Sequence, residues 1–298
     1  MNQANLRSGF VAVVGKPNVG KSTLVNYLVG RSVSIASSKP ETTRRRILGV
    51  VHGEGHQMVL VDTPGLAPIR HALGQRLHDV AAGETVEADV IIFMVELTHF
   101  PKDEDLAVAK LLEHSKAPIF LVGNKTDRAQ TKENLLPLLD AYGKLGTFAE
   151  VYPVSAQSGD NMEALRAALI ERLPEGVAYF PPEMTSDMDE VSRVEDLIRL
   201  QVLENCRQEV PHAVAIKVEE MKPGDDNPDI TLIRAIVYVE RPTQKKIIIG
   251  KKGEMLKRIG QVARENIQVE LGRPVFLDLW VKVKEDWRQR PDWIEVLF

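Results

Sequence analysis

Only one of the 298 residues is a cysteine, Cys206. That excludes an internal disulfide framework and any zinc or iron–sulfur centre built on clustered thiolates. Long apolar runs are missing too. The longest wholly apolar stretch covers residues 90–95, whereas a membrane-spanning helix needs ~20 apolar residues. Near the start, FVAVV is too short for a secretory signal. Neither sign of charge dominates: 38 Lys and Arg face 42 Asp and Glu, a net charge of −4. Overall composition therefore gives no sign of a nucleic-acid partner. Internal repeats and low-complexity tracts are lacking as well. These absences lead to the expectation of a soluble cytoplasmic chain; a monomer is expected as well, though not from them. With 44% hydrophobic residues the chain can bury a core. At ~150 residues per domain, its length predicts two modest domains.

The two halves carry different patterns. Apolar runs of strand length at 10–14, 58–61, 90–95 and 119–122 alternate with helical spacings such as Leu106, Ala109, Leu112 and Leu165, Ala168, Leu169. Such alternation predicts a mostly parallel α/β sheet. Residues 48–51 and 58–60 flank HGEGH, an antiparallel hairpin signal. Leu173-Pro174-Glu175-Gly176 and then Pro181-Pro182 mark a linker. The expected division is a first domain over residues 1–176, a linker over 177–190 and a second domain over 191–298. In that second domain Val194, Leu197, Ile198 and Val202 sit at helical spacing, as do Leu256, Ile259, Ala263 and Ile267. Residues 213–218 and 231–239 read as strands, and 275–283 alternates with period two. With a short helical turn at 247–249, the order is α-β-β-α-α-β.

Gly15, Lys16, Pro17, Asn18, Val19, Gly20, Lys21 and Ser22 match GxxxxGK[ST]. They follow a strand pattern and open a helix beginning at Thr23, the context such a phosphate loop requires. Glycines let successive backbone N–H groups converge on phosphate oxygens, and the helix N-terminus adds positive potential. Lys21 is placed to reach β- and γ-phosphates and the Ser22 hydroxyl to ligate Mg²⁺. Asp62, Thr63, Pro64 and Gly65 end the strand at 58–61. There the carboxylate can approach Mg²⁺ and the Gly65 amide the γ-phosphate. Asn124, Lys125, Thr126 and Asp127 form NKxD at another strand end. Asp127 can accept from guanine N1–H and the exocyclic amine together, whereas adenine would leave it unpaired. Asn124 braces the base loop, the Lys125 stem stacks on the purine, and Ser155-Ala156 offers a backbone N–H to the guanine carbonyl.

ETTRRR at 41–46 is the expected switch segment, with Thr42 or Thr43 meeting Mg²⁺ and γ-phosphate; Thr43 is favoured. The catalytic glutamine that follows DxxG in many GTPases is replaced by Leu66, which cannot orient water. Slow hydrolysis is expected. Asn18 is a candidate to help hold a monovalent cation such as K⁺ against the phosphates. The catalytic set is thus Asn18, Lys21, Thr43 and Gly65, and the metal set Ser22, Thr43 and Asp62.

Residues 241–264 reverse the overall charge. Lys245, Lys246, Lys251, Lys252, Lys257 and Arg258 cluster around Ile249-Gly250-Lys251-Lys252-Gly253, with Glu254 the sole acid. A basic patch on an acidic chain suggests a nucleic-acid footprint. GxxG between an apolar turn and an amphipathic helix allows a helix–loop–helix that clamps a single strand, as in KH domains. Lys282, Lys284, Arg288 and Arg290 are candidates to extend the surface.

GKPNVGKST, ETTRRR, VDTPGL, NKTD, VSA, IIIGKKG and LDLWVKVKEDW, in that order along nearly the whole chain, resemble the Era family of bacterial Ras-like GTPases with a C-terminal KH domain. The resemblance implies a Ras-like P-loop domain with a mixed, mostly parallel sheet, followed by an α+β type II KH domain. It implies GTP/GDP and Mg²⁺ as cofactors, and binding near the 3′ end of small-subunit ribosomal RNA during assembly of that subunit. Peripheral association with the cytoplasmic membrane face is implied as well. The rival reading is a GTPase whose basic second domain meets a protein or anionic lipid without an RNA role.

Overall fold

The structure, a computed structural model, describes residues 6–37, 39, 42–129, 131, 134–207, 209–224 and 227–298. The chain forms two compact units. Met1–Ala36, Thr43–Arg70 and Gly74–Asp187 make the first; Ser37–Thr42, His71–Leu73 and Met188–Phe298 make the second.

In the first unit, strands β1 (Leu6–Val14), β2 (Ile47–Gly53), β3 (His56–Asp62), β4 (Val90–Glu96), β5 (Ile119–Asn124), β6 (Glu150–Pro153) and β7 (Glu175–Gly176) build one sheet. Its order is β2-β3-β1-β4-β5-β6, with β7 on the start of β1. β2 and β3 pair antiparallel across the Glu54-Gly55 turn, and β7 pairs antiparallel with β1. The pairs β1/β3, β1/β4, β4/β5 and β5/β6 are parallel. The helices are α1 (Lys21–Val29), α2 (Ala72–Glu87, in this unit from Gly74 on), α3 (Asp103–Leu112), α4 (Leu135–Gly143) and α5 (Met162–Arg172).

Period-two geometry explains why residues 10–14 of β1 and 90–95 of β4 are apolar without a break. Val11, Val13, Val90, Ile92 and Met94 face α1 and α5 in one core. Ala12, Val14, Ile91, Phe93 and Val95 pack with residues of α2, α3 and α4 in the other. A central strand buried on both faces reads as a continuous run. The parallel strands deliver their C-terminal ends to one rim, where open α/β sheets bind ligands.

Residues between Val177 and Asp187, part of the segment expected as a linker, follow the free edge of β2. Val50 N–H donates to Thr185 O at 2.9 Å and Leu48 N–H to Asp187 Oδ1 at 2.9 Å. Gln57 Oε1 receives the Tyr179 and Phe180 amides. The stretch satisfies an edge that would otherwise expose unpaired backbone groups.

The second unit contains α6 (Glu190–Asn205), β8 (Ala215–Pro223), β9 (Thr231–Val239), α7 (Pro242–Ile249), α8 (Glu254–Leu271), β10 (Val275–Val283) and α9 (Pro291–Leu297). Its sheet order is β10-β9-β8, with β8/β9 antiparallel and β9/β10 parallel. From α6 to β10 the helices and strands follow the expected α-β-β-α-α-β order. Val194, Ile198 and Val202 of α6 meet Ile259, Ala263 and Ile267 of α8 over the inner face of the sheet. Trp287, fully buried, closes one end, its indole donating to Ala213 O at 3.0 Å.

Candidate nucleotide site and nucleic-acid groove

The phosphate loop connects β1 to α1. Gly20 caps the helix at φ 106°, and a Cβ there would lie 2.2 Å from Asn124 Nδ2. Only glycine suits both the left-handed backbone and that approach. Lys21 Nζ donates to Gly15 O and Lys16 O, each at 3.1 Å. Burial pushes the Lys21 ammonium down to about 8, partly offset by Asp62. A buried cation in that state favours an anionic partner. Lys16 differs: its ammonium is turned to Asp105, 2.8 Å away, so only its backbone is left for phosphate.

Asp62 ends β3 fully buried. Its Oδ2 accepts from Ser22 Oγ at 2.7 Å, Ser34 Oγ at 2.6 Å and Thr43 Oγ1 at 3.1 Å. Ser22 Oγ and Thr43 Oγ1 lie 3.0 Å apart. Burial raises the carboxyl's pKa against the opposing pull of Ser34, Lys21, Ser22 and Thr43. Asp62 Oδ1 is buried with no hydrogen-bond partner. An orphaned carboxylate oxygen beside two hydroxyls is a donor set of hard oxygens, which fits Mg²⁺. Of the two switch threonines, Thr43 brings its hydroxyl into this cluster.

Ser34 was not foreseen. Asn26 on α1 holds it: Asn26 Oδ1 accepts the Val33 and Ser34 amides at 2.9 Å each, and Asn26 Nδ2 donates to Ser34 O at 2.8 Å. No local pattern in SVSIASS marks this serine.

Gly65 sits so close to the phosphate loop that a Cβ would be 2.8 Å from Pro17 N and Cα. The Leu66 amide donates to Gly15 O at 3.1 Å, and its side chain is buried in the core. Leu66 therefore offers no polar group toward a water. Thr63 is spent on the fold, its hydroxyl donating to Val13 O at 2.7 Å.

At the rim beyond, Asn124 Nδ2 donates to Val19 O at 2.7 Å, and Asn124 Oδ1 accepts from Ala156 N–H at 2.9 Å. This buried amide braces the phosphate loop against the Ser155-Ala156 loop. Of the backbone N–H groups in the loop expected to meet a guanine carbonyl, that of Ala156 is engaged by Asn124. Asp127 Oδ1 accepts from Ser155 Oγ at 2.6 Å, which orients the carboxylate. Lys125 Nζ reaches Asn18 O at 2.7 Å and Glu96 Oε2 at 2.6 Å. Burial works to raise Glu96, yet the bonds from Lys125 and Thr98 leave its pKa lowered. Asn18, exposed, takes φ 66°, a left-handed conformation asparagine tolerates.

In the second unit, α7 ends at Gly250 with φ 71°, where a Cβ would lie 2.6 Å from that of Met255. Lys252 and Gly253 follow at φ 52° and 83°. This turn projects Lys251 and Lys252 into solvent ahead of α8. Lys246, Lys257 and Arg258 are exposed, while Lys245 and Ile249 are half-buried. Beside the turn lies an open cleft of about 490 Å³, lined by Gly253, Leu256, Lys257, Gly260, Gln261, Arg264, Leu277 and Leu279. An apolar floor with a cationic rim suits a single nucleic-acid strand. The suggested extension of the basic surface is mostly neutralised. Arg288 pairs with Glu240, Arg290 with Asp292 and Lys282 with Glu219. Lys284 Nζ lies 3.9 Å above the Trp293 ring.

A phosphate loop, a magnesium-type carboxylate and an NKxD rim on one sheet, with a GxxG domain in the same chain, define a P-loop GTPase fused to a KH domain. Family models agree: 50S ribosome-binding GTPase matches residues 10–125, and KH domain matches residues 209–288. GTPase Era of Heliobacterium modesticaldum is 40% identical over 96% of this chain and 95% of that protein. GTPase Era of Geotalea daltonii is 43% identical over 97% and 96%. The chain belongs to the GTPase Era family. A solved single-residue variant of Aquifex aeolicus Era bound to GDP.AlF4⁻ superposes with TM-score 0.94 at 40% identity, covering 98% of this chain and 99% of that one. Era in complex with MgGDPNP and nucleotides 1506–1542 of 16S ribosomal RNA superposes with TM-score 0.95 at 40% identity, covering 98% of each chain.

Proposed function

We propose that this protein is a GTP-hydrolysing switch that binds single-stranded ribosomal RNA through its KH domain and assists assembly of the small ribosomal subunit. One observation carries the reading: a buried polyphosphate cradle around Lys21 and Asp62 shares a chain with an exposed Gly250–Gly253 clamp. The Era structure holding MgGDPNP and 16S nucleotides 1506–1542 supports both halves. In this reading residues 1–176 form the GTPase domain, 177–190 connect, and 191–298 form the KH domain with its C-terminal extension.

Backbone amides of residues 15–22 and Lys21 hold the β- and γ-phosphates, and Asp127 and Asn124 select and brace guanine. Ser22, Thr43 and Asp62 hold Mg²⁺, which neutralises phosphate charge when bound. The Gly65 amide senses the γ-phosphate. Leu66 orients no water, so intrinsic turnover is slow, and Asn18 supports a K⁺-assisted route. GTP orders residues 42–46 and 62–77 and thereby sets the grip on RNA. Lys245, Lys246, Ile249, Gly250, Lys251, Lys252, Gly253, Lys257 and Arg258 form the RNA surface.

This reading places the protein in the cytoplasm. Any peripheral membrane contact would use the same basic surface, whose Lys and Arg attract anionic lipid; no helix among the described residues is long and apolar enough to cross a membrane. The test is Gly253→Asp, at a position with nothing within 4 Å of an added Cβ and φ +83°. It puts a carboxylate and backbone strain into the clamp. Binding to an oligonucleotide copied from the 3′ end of 16S RNA should fall by about tenfold or more, with GTP affinity unchanged. Undiminished, sequence-indifferent binding, or binding only to anionic vesicles, would remove the RNA role.

A further inference from the structure

Beneath the phosphate loop lies an ion pair that the nucleotide chemistry does not require. Lys16 and Asp105 have side chains 7% and 0% exposed, and Lys16 Nζ donates to Asp105 Oδ2 at 2.8 Å. Asp105 belongs to the first turn of α3, where Oδ2 also accepts the Lys102 amide at 3.0 Å. His99 Nε2 lies 3.4 Å from Lys16 Nζ, and the Tyr142 hydroxyl 3.5 Å from Asp105 Oδ2. Asp105 Oδ1 has no partner. Burying two charges and an orphan oxygen is costly, and an apolar pair of similar volume would often be as stable. Such a pair is better explained by where it holds the backbone.

The opposite side of the same backbone faces the site. Lys16 O receives the Lys21 ammonium at 3.1 Å, and Pro17 N and Cα form the wall that leaves no room for a Cβ on Gly65. Gly15 O receives the Leu66 amide at 3.1 Å. Asp105 therefore anchors, through Lys16, the short stretch on which Gly65 and Leu66 rest. A diphosphate needs the cradle of residues 18–22, but a γ-phosphate also needs Gly65 at the right height above Pro17.

We propose that Asp105 is a positioning residue that, by holding Lys16 from below, sets the docking of Gly65 and with it the preference for triphosphate over diphosphate. The proposal rests on the reading of Gly65 as the γ-phosphate sensor. Lys16 then contributes no charge to the phosphates, and Lys21 alone supplies the loop's cation.

The test uses the full-length protein and measures GDP and GDPNP affinity, kcat and KM for GTP, and thermal unfolding. Asp105→Asn keeps the shape and loses the charge. GDP affinity should stay within about threefold, while GDPNP affinity and kcat fall roughly ten- to a hundredfold, the scale of one buried charge-assisted hydrogen bond. The double variant Lys16→Met with Asp105→Leu replaces the pair by apolar packing. It should recover thermal stability yet keep the lost triphosphate preference; if Asp105→Asn does not fold, this variant is read alone. An unchanged GDPNP-to-GDP ratio in either variant, or recovery of stability and preference together, would overturn the proposal. Failure of the unaltered protein to bind GDPNP would instead refute the GTPase reading.

Discussion

Replacing Asn124 with alanine tests the brace between the phosphate loop and the base rim. The side chain is 3% exposed and makes bonds of 2.7 Å to Val19 O and 2.9 Å from Ala156 N–H. Val19 is 0% and Ala156 3% exposed, so water does not readily replace the lost amide. Each abandoned polar group costs about 1–3 kcal/mol. Allowing for partial relaxation, the pair costs about 2–4 kcal/mol, or roughly 30- to 1000-fold in nucleotide affinity if the loss falls on the site. Asn124→Asp is a sharper probe. It keeps an acceptor for Ala156 but sets a buried anion against Val19 O, so it should be at least as damaging. Fluorescence titration of nucleotide-free protein with a labelled GDP in Mg²⁺ gives the affinities, and thermal unfolding reports any general loss of stability. If both variants bind GDP within about threefold of the unaltered protein, the brace does not govern the site.

Three further outcomes are expected. Asp127→Asn, with Ser155 still able to hold the side chain, should weaken GTP binding by ~10³-fold or more and shift preference toward xanthosine triphosphate; equal GTP affinity would refute guanine readout. GTP turnover should be faster in K⁺ than in Na⁺, with the difference abolished in Asn18→Ala, and equal rates in all four measurements would remove the cation role. Lys21, held near 8 by burial, loses its proton as pH rises through that value, whereas bound polyphosphate favours the charged form. Binding therefore takes up a proton above pH 8. GDP affinity should be level at neutral pH and then decline by at most ~tenfold per unit; a level profile through two units above 8 would show the ammonium stays charged.

Where the chemistry is local, the order of residues alone reveals it. A phosphate cradle is a few consecutive amides at a helix start, so residues 15–22 announce it without any fold. DTPG and NKTD are strand-end turns, and GKKG is a turn between helices, each legible as a short run. Alternation of apolar runs with helical stripes sufficed for the α/β and α-β-β-α-α-β patterns, because burial periodicity follows from strand and helix geometry. Closure of the fold set which distant groups share a hydrogen bond. Ser34 joined the Asp62 cluster only because Asn26 bends the chain after α1 back onto β3. Asp105 captured Lys16 across the interval between α3 and β1, and Asn124 reached Val19 from another strand end. The Pro-rich stretch after β7 found β2's free edge, and Arg288 found Glu240. Pairings of that kind depend on closure of the whole sheet and on which charges meet, and residue type at a position does not encode either.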